Sequence, residues 1–198
     1  MIIIGLTGSI GMGKSTTAEM FAARGLPVWD ADAAVHRLYG PKGAAIAPIR
    51  ALFSEAVSEA GVDRTVLKRL ISEDPDVLRV IEQVVHPLVA ADRTAFVDQA
   101  RLEGRKAVLL DIPLLFETGA AKDMDLVVVV STDPDTQRAR VLERPGMTEA
   151  QFQAILAKQL ADAEKRTRAD LMIDTTTLDT ARQGVETVLQ RAEEMGHA

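Results

Sequence analysis

The stretch Gly8-Ser9-Ile10-Gly11-Met12-Gly13-Lys14-Ser15 restricts the possible fold more than any other part of the chain. It follows the apolar run Ile2-Ile3-Ile4 and precedes Thr16-Thr17-Ala18-Glu19-Met20-Phe21, which suits a helix, so the local order is strand, glycine-rich loop, helix. In that context G-x-x-x-x-G-K-[ST] describes a phosphate cradle. Backbone N–H groups converge on anionic oxygens at the positive end of a helix, and side chains would obstruct that approach. Gly8, Gly11 and Gly13 reach backbone angles closed to other residues, and Lys14 extends a point charge to the outer phosphates. The Ser15 hydroxyl is suited to ligate magnesium, and Thr16 adds a further phosphate contact. A turn that binds nothing would need neither the Lys-Ser pair nor the flanking strand and helix.

Short apolar runs at residues 2–6, 26–29, 107–110, 126–130 and 171–173 are mostly separated by segments of helix length. That spacing predicts an α/β fold with a doubly wound parallel five-stranded sheet. Val127-Val128-Val129-Val130 has no polar alternation, as expected of a central strand covered on both faces. Residues 33–106 interrupt the alternation. Their pattern predicts helix throughout, with Ile46, Ile49, Leu52 and Phe53 at helical spacing and Asp74-Pro75 as a helix start. Val77, Ile81, Val84, Val85, Leu88 and Val89 form the next stripe, which Pro87 is expected to kink or interrupt. The expected organisation is therefore a core of 1–32 and 107–198 with a helical insertion at 33–106.

Asp133-Pro134 opens another helix, on which Gln137, Arg140 and Arg144 are expected to share a face. Arg144-Pro145-Gly146-Met147 breaks it, and Thr148-Glu149-Ala150-Gln151 has capping-box spacing, so a second helix restarts at once. Two helices joined by a tight turn, about 138–160, read as a lid. The final helix, about 178–195, carries Ala181, Val185, Val188, Leu189 and Ala192 on one stripe, which packing alone explains.

Composition limits the ligands. A net charge of −6 with 4% aromatic residues lacks both the basic field and the stacking surface of a nucleic-acid binder, so small phosphorylated substrates fit better. The chain has no cysteine, which excludes disulfides and thiolate chemistry. No basic leader precedes the first apolar run, and no run approaches the roughly 20 residues of a membrane helix. These features predict a cytoplasmic protein without membrane or nucleic-acid partners, a monomer or weak homo-oligomer.

Several side chains have the chemistry to act beside a phosphate. Asp30 and Asp32 lie where the second strand ends, on the sheet edge where α/β sites form. If the backbone stays extended, both carboxylates face the transferring phosphate, one accepting a proton and one addressing magnesium. The competing reading has Asp32 capping the helix from Ala33. His36, four residues on, either touches Asp32 or is a solvated surface histidine. His86 either meets a ligand phosphate or is a structural histidine beside the kink. Asp111 either addresses magnesium through water or caps the next turn, and the following Ile112-Pro113-Leu114-Leu115-Phe116-Glu117 is expected to expose apolar groups near the site. Arg140 and Arg144 either clamp developing charge or are surface arginines. Lys165, Arg166 and Arg168 read as a solvated basic face.

Taken together, the phosphate loop, Asp30-Ala31-Asp32 with His36, His86-Pro87, Asp111-Ile112-Pro113-Leu114-Leu115-Phe116-Glu117, Gln137 with Arg140, and Ala169-Asp170 resemble the dephospho-coenzyme A kinases, in order along nearly the whole chain. The resemblance implies ATP-dependent phosphorylation of the ribose 3′-hydroxyl of dephospho-coenzyme A, with magnesium. It implies Asp32 as the base, Lys14 and Arg140 as charge stabilisers, and Gly11, Met12, Gly13, Lys14, Ser15 and Thr16 as the nucleotide cradle with Arg144 at the lid. It also implies that the insertion binds the coenzyme, and that His36, His86, Asp111 and Leu115 line the acceptor site, with Ser15 and Asp111 available to the metal. Three positions depart from the family pattern. Ser9 stands for a frequent glycine, Ile155 for the arginine of an R-x-x-x-Q pattern ending at Gln159, and Thr175 for an asparagine after Asp174.

The nearest rival is a kinase for a nucleoside monophosphate or another small acceptor, which would share the loop. A GTPase-type switch is excluded more firmly. The chain has no asparagine, so the N-K-x-D guanine reader cannot exist, and Asp111-Ile112-Pro113-Leu114 is not the D-x-x-G switch.

Overall fold

The computed structural model describes residues 1–197. In chain order the elements are β1 (Ile2–Thr7), α1 (Lys14–Ala23), β2 (Val28–Asp30), α2 (Ala31–Tyr39), α3 (Ile46–Leu52), β3 (Val57–Ser58), β4 (Gly61–Val62), α4 (Arg64–Glu73), α5 (Asp76–Leu102), β5 (Ala107–Asp111), β6 (Leu126–Ser131), α6 (Pro134–Leu142), α7 (Glu149–Leu156), α8 (Asp162–Arg168), β7 (Leu171–Asp174) and α9 (Leu178–His197).

The main sheet has the order β2-β5-β1-β6-β7, with β1 parallel to β5 and β6 and β6 parallel to β7. Its five strands are those expected from the apolar runs. Ile4 sits opposite Leu109 on one side and Leu126 on the other, and Val128, Val129 and Val130 have no exposed surface. Phe21 of α1 and Val185 and Val188 of α9 complete the same apolar cluster. Each strand ends in a polar residue, namely Thr7, Asp30, Asp111, Ser131 and Asp174. The apolar sheet interior thus gives way to hydrogen-bonding groups along its C-terminal edge, the edge where α/β folds bind ligands.

The chain clusters into two compact units: Met1–Trp29 with the segment from Ala100 onward, and Asp30–Gln99. The second unit has its own core of Leu38, Ala45, Ile49, Ala56, Leu67, Ile81 and Val85. It departs from the expected pattern twice. It is not helical throughout, because Val57 and Ser58 pair antiparallel with Val62 and Gly61 as a short hairpin. Nor does Pro87 interrupt its longest helix: α5 runs unbroken from Asp76 to Leu102. Proline removes one N–H and crowds the carbonyl four residues back. Here Ile81 and Val85 before it, and Leu88 and Val89 after it, all pack on one core, which favours continuing the helix through the missing hydrogen bond. The start of α5 matches expectation, since Asp74 Oδ1 accepts from Asp76 N at 2.9 Å.

In the first unit, Asp133 caps α6 by accepting from Thr136 N at 2.8 Å, and Thr148 and Gln151 form the reciprocal capping box of α7. Arg144 does not share a helical face with Gln137 and Arg140, as expected from spacing, because α6 stops at Leu142. Pro145 disfavours helical angles at Arg144, and Gly146 turns the chain at φ 77°. Among the described residues, no helix is long and apolar enough to cross a membrane.

Candidate active site

The phosphate loop joins β1 to α1 and is shaped by close approach. A Cβ on Gly11, whose φ is 79°, would stand 2.6 Å from Val141 Cγ2 and 2.9 Å from the Gln137 carbonyl. Any side chain there would push α6 off the loop, so glycine is required twice over, by angle and by space. Gly13, also left-handed, precedes Lys14 at the first helical position, while Ser15 and Thr16 on the first turn are exposed to solvent. Exposed hydroxyls beside free helical N–H groups are the features an incoming phosphate needs.

Side chains from distant segments fix the loop. Ile10 N donates to Gln159 Oε1 at 3.0 Å, and Gln137 Nε2 donates to Ile10 O at 2.7 Å. Thr175 Oγ1 donates to Met12 O at 2.8 Å and lies 3.2 Å from Ser131 O. Thr175, one of the departures from the family pattern, is 5% exposed and seals the loop against the ends of β6 and β7. Arg140 is drawn to the same place, donating to the Thr175 carbonyl at 2.7 Å and the Thr176 carbonyl at 3.3 Å. Its guanidinium is therefore held beside the loop before any ligand arrives. Arg144 lies exposed in the turn beyond α6.

Lys14 Nζ bonds Asp111 Oδ1, joining the loop to the end of β5. Asp111 is 1% exposed, so this carboxylate does not merely cap a turn at the surface. Beyond it, the segment from Ile112 to Glu117 exposes less than expected. Leu114 is 40% exposed, whereas Ile112 and Leu115 are buried, Leu115 completely. Leu115 packs over Gly5 of β1, so it is a core residue and presents no surface to an acceptor in this conformation. A cleft of about 590 Å³ opens beside the loop, lined by Met12, Thr132, Asp133, Gln137, Asp174 and Thr176 among others. The Asp133 carboxyl is held below its ordinary value by the Thr136 N–H, and that of Asp174 by the Thr176 hydroxyl and N–H.

The remaining predicted residues belong to the unit Asp30–Gln99. Asp32 and His36 are exposed on α2, four residues apart and so on one face, and His86 is exposed on α5 rather than buried at a kink. The backbone does not stay extended through Asp32, as a shared orientation of the two carboxylates would require. Asp30 is the cap, accepting from Ala33 N at 2.8 Å, and Asp32 already lies in the first helical turn. The carboxylate spent on capping is thus Asp30, which leaves Asp32 free of that role.

Lys165 overturns an expectation outright. It is not on a solvated basic face but has no exposed surface, and its Nζ pairs with Glu117 Oε1 at 2.9 Å.

This geometry agrees with comparisons to known proteins. The family model described as dephospho-CoA kinase matches residues 2–179. Curated dephospho-CoA kinases from Ruegeria pomeroyi and Cereibacter sphaeroides are 55% and 53% identical, covering 95% and 98% of this chain and 94% and 98% of their own. A solved structure from Thermus thermophilus superposes with a TM-score of 0.81 at 34% identity, with 96% of each chain covered. The phosphate loop, the ordered arginine beside it and the full-length similarity lead to one conclusion: the chain belongs to the dephospho-CoA kinase family.

Proposed function

We propose that the protein transfers the γ-phosphoryl group of ATP to the ribose 3′-hydroxyl of dephospho-coenzyme A, giving coenzyme A and ADP, the last step of coenzyme A synthesis. The observation that carries this reading is the loop itself. It is cleared of side chains at Gly11, backed by Lys14 on Asp111, and flanked by an arginine whose position is already fixed.

The nucleotide fits the cradle that a Cβ on Gly11 would fill, and Gly11, Met12, Gly13, Lys14, Ser15 and Thr16 would hold its phosphates. Magnesium fits the hard oxygen donors nearest the loop, the Ser15 hydroxyl and, on Lys14, the Asp111 carboxylate. When bound, the ion neutralises charge on the phosphate oxygens.

Transfer of this kind is mostly positioning and charge stabilisation. Lys14 exchanges part of its bond to Asp111 for phosphate oxygens, and Arg140 stabilises charge developing on the transferred group. Asp32, exposed and not engaged in capping, accepts the proton of the attacking hydroxyl. The unit Asp30–Gln99 binds the coenzyme, and His36, His86 and Asp111 contribute to acceptor binding. Arg144, in the turn between α6 and α7, closes over the nucleotide and excludes water that would otherwise hydrolyse ATP. We place the reaction in the cytoplasm, in a monomer or weak homo-oligomer.

The test is ADP release with ATP and magnesium, comparing dephospho-coenzyme A with a panel of nucleosides and nucleoside monophosphates, products being identified by mass. Dephospho-coenzyme A is expected to be the acceptor turned over, gaining one phosphate. Phosphorylation of a monophosphate in its place would overturn the reading.

A further inference from the structure

Ile10 of the phosphate loop is held at both its carbonyl and its N–H by side chains from the helical pair α6–α7 and the connection just beyond it. Gln137, on α6, donates to its carbonyl at 2.7 Å, and Gln159, just beyond α7, accepts from its N–H at 3.0 Å. The second of these ties needs a fixed root, because Gln159 lies in the connection to α8 and has no helix of its own to rest on. That root is Glu117. Its Oε1 accepts from Leu160 N, the next backbone amide, at 2.8 Å, and pairs with Lys165 at 2.9 Å. Ser131 Oγ donates to Asp162 Oδ2 at 2.8 Å, fastening the start of α8 to the end of β6.

Burying a lysine completely is unfavourable unless a partner is held close, and an apolar side chain of similar volume would satisfy packing alone. The charge is at one end of a short relay: Lys165 to Glu117, Glu117 to the Leu160 amide, and the neighbouring Gln159 to Ile10. We propose that Lys165 and Glu117 are positioning residues for phosphoryl transfer, which through Leu160 and Gln159 fix the Ile10 peptide and so set the shape of the loop that receives ATP. This rests on the kinase reading above, but it concerns ATP and not the acceptor. Burial alone would raise the Glu117 carboxyl. The ion-pair contact with Lys165 and the Leu160 amide outweigh that and hold it below the ordinary carboxylate range, so the Glu117 carboxylate is ionised at neutral pH.

The experiment measures ATP affinity by calorimetry, without acceptor, and then both Michaelis constants, for the full chain and for Glu117→Gln, Lys165→Met and Gln159→Leu. Glu117→Gln removes the charge that anchors residue 117 to Lys165 and so loosens the Leu160 tie, and Gln159→Leu cuts the relay without stranding a buried charge. Each variant is expected to weaken ATP about tenfold, the scale of one well-placed hydrogen bond, while the KM for dephospho-coenzyme A moves less than about twofold. Lys165→Met combined with Gln159→Leu is expected to be no worse for ATP than the weaker single variant, since both cut one relay. Unchanged ATP affinity in Gln159→Leu and Glu117→Gln, equal shifts of both Michaelis constants, or additive losses would overturn the proposal. If Lys165→Met fails to fold, those two variants decide it. If the unaltered protein binds ATP but ignores dephospho-coenzyme A, the acceptor assignment fails while the affinity comparison still tests the relay.

Discussion

The roles proposed for Asp32 and Lys14 divide the chemistry between a proton and a charge, so their variants should fail differently. Asp32→Asn removes only the proposed base, so folding and ATP binding are expected to persist while turnover falls by at least about 10²-fold. Calorimetry with ATP alongside the ADP assay checks both halves, and near-normal turnover would take Asp32 out of the role. Lys14→Ala removes a transition-state charge partner, and turnover is expected to fall by about 10² to 10³. It also removes the ammonium that a 1% exposed Asp111 holds, so the melting temperature should drop as well. Assays run well below that temperature separate the two effects.

Residue spacing revealed some of this site and concealed the rest. Spacing alone leaves Asp32, Asp111 and Arg140 open between a role at the phosphate and a structural one, whereas the loop was readable because strand, glycines, Lys-Ser pair and helix form one local motif. Lys165 was not, because its partner Glu117 lies 48 residues earlier and only the tertiary fold makes them neighbours. The burial of Leu115 was hidden for a related reason. An apolar residue just past a strand can face the ligand or the core, and only the packing over Gly5 decides.

Among the elements, α5 carries the most testable defect. Pro87 is exposed within an unbroken helix, and an interior proline is disfavoured relative to alanine by about 3 kcal/mol. Pro87→Ala is therefore expected to raise the melting temperature, by several degrees at the roughly 2–4 °C per kcal/mol of a chain this size. A lower melting temperature would show that the helix depends on the proline for its path. The pair α6–α7 is expected to be quiet only when liganded. Limited proteolysis between Arg144 and Thr148 should slow with ATP and dephospho-coenzyme A together, and equal cleavage rates with and without them would argue against closure. The five main strands were legible because their apolar runs have few interruptions. The hairpin of β3 and β4 was not, since strands of two residues are too short to show an alternating pattern.

Across the whole molecule, three carboxyls contribute to the response to acid. Glu117, Asp133 and Asp174 are all held below their ordinary values of 4.5 for the glutamate and 3.8 for the aspartates. Groups lowered in the native state stabilise it fully above the unfolded values, and lose that contribution as pH falls through the lower native ones. As far as these groups decide it, the melting temperature should be level from pH 7 to about 5 and decline below about 4.5. Glu117→Gln should make that decline shallower, which a series of thermal melts would show, and an unchanged slope would remove Glu117 from the account. The strand order has a consequence of another kind. The strand bearing the phosphate loop is made well before its neighbours, since Ile2 pairs with Ala107 and Ile4 with Leu126, more than a hundred residues later. At roughly 5–20 residues per second, that apolar segment leaves the ribosome some 5–20 s before its neighbours exist, and for that interval it is a natural client for a chaperone.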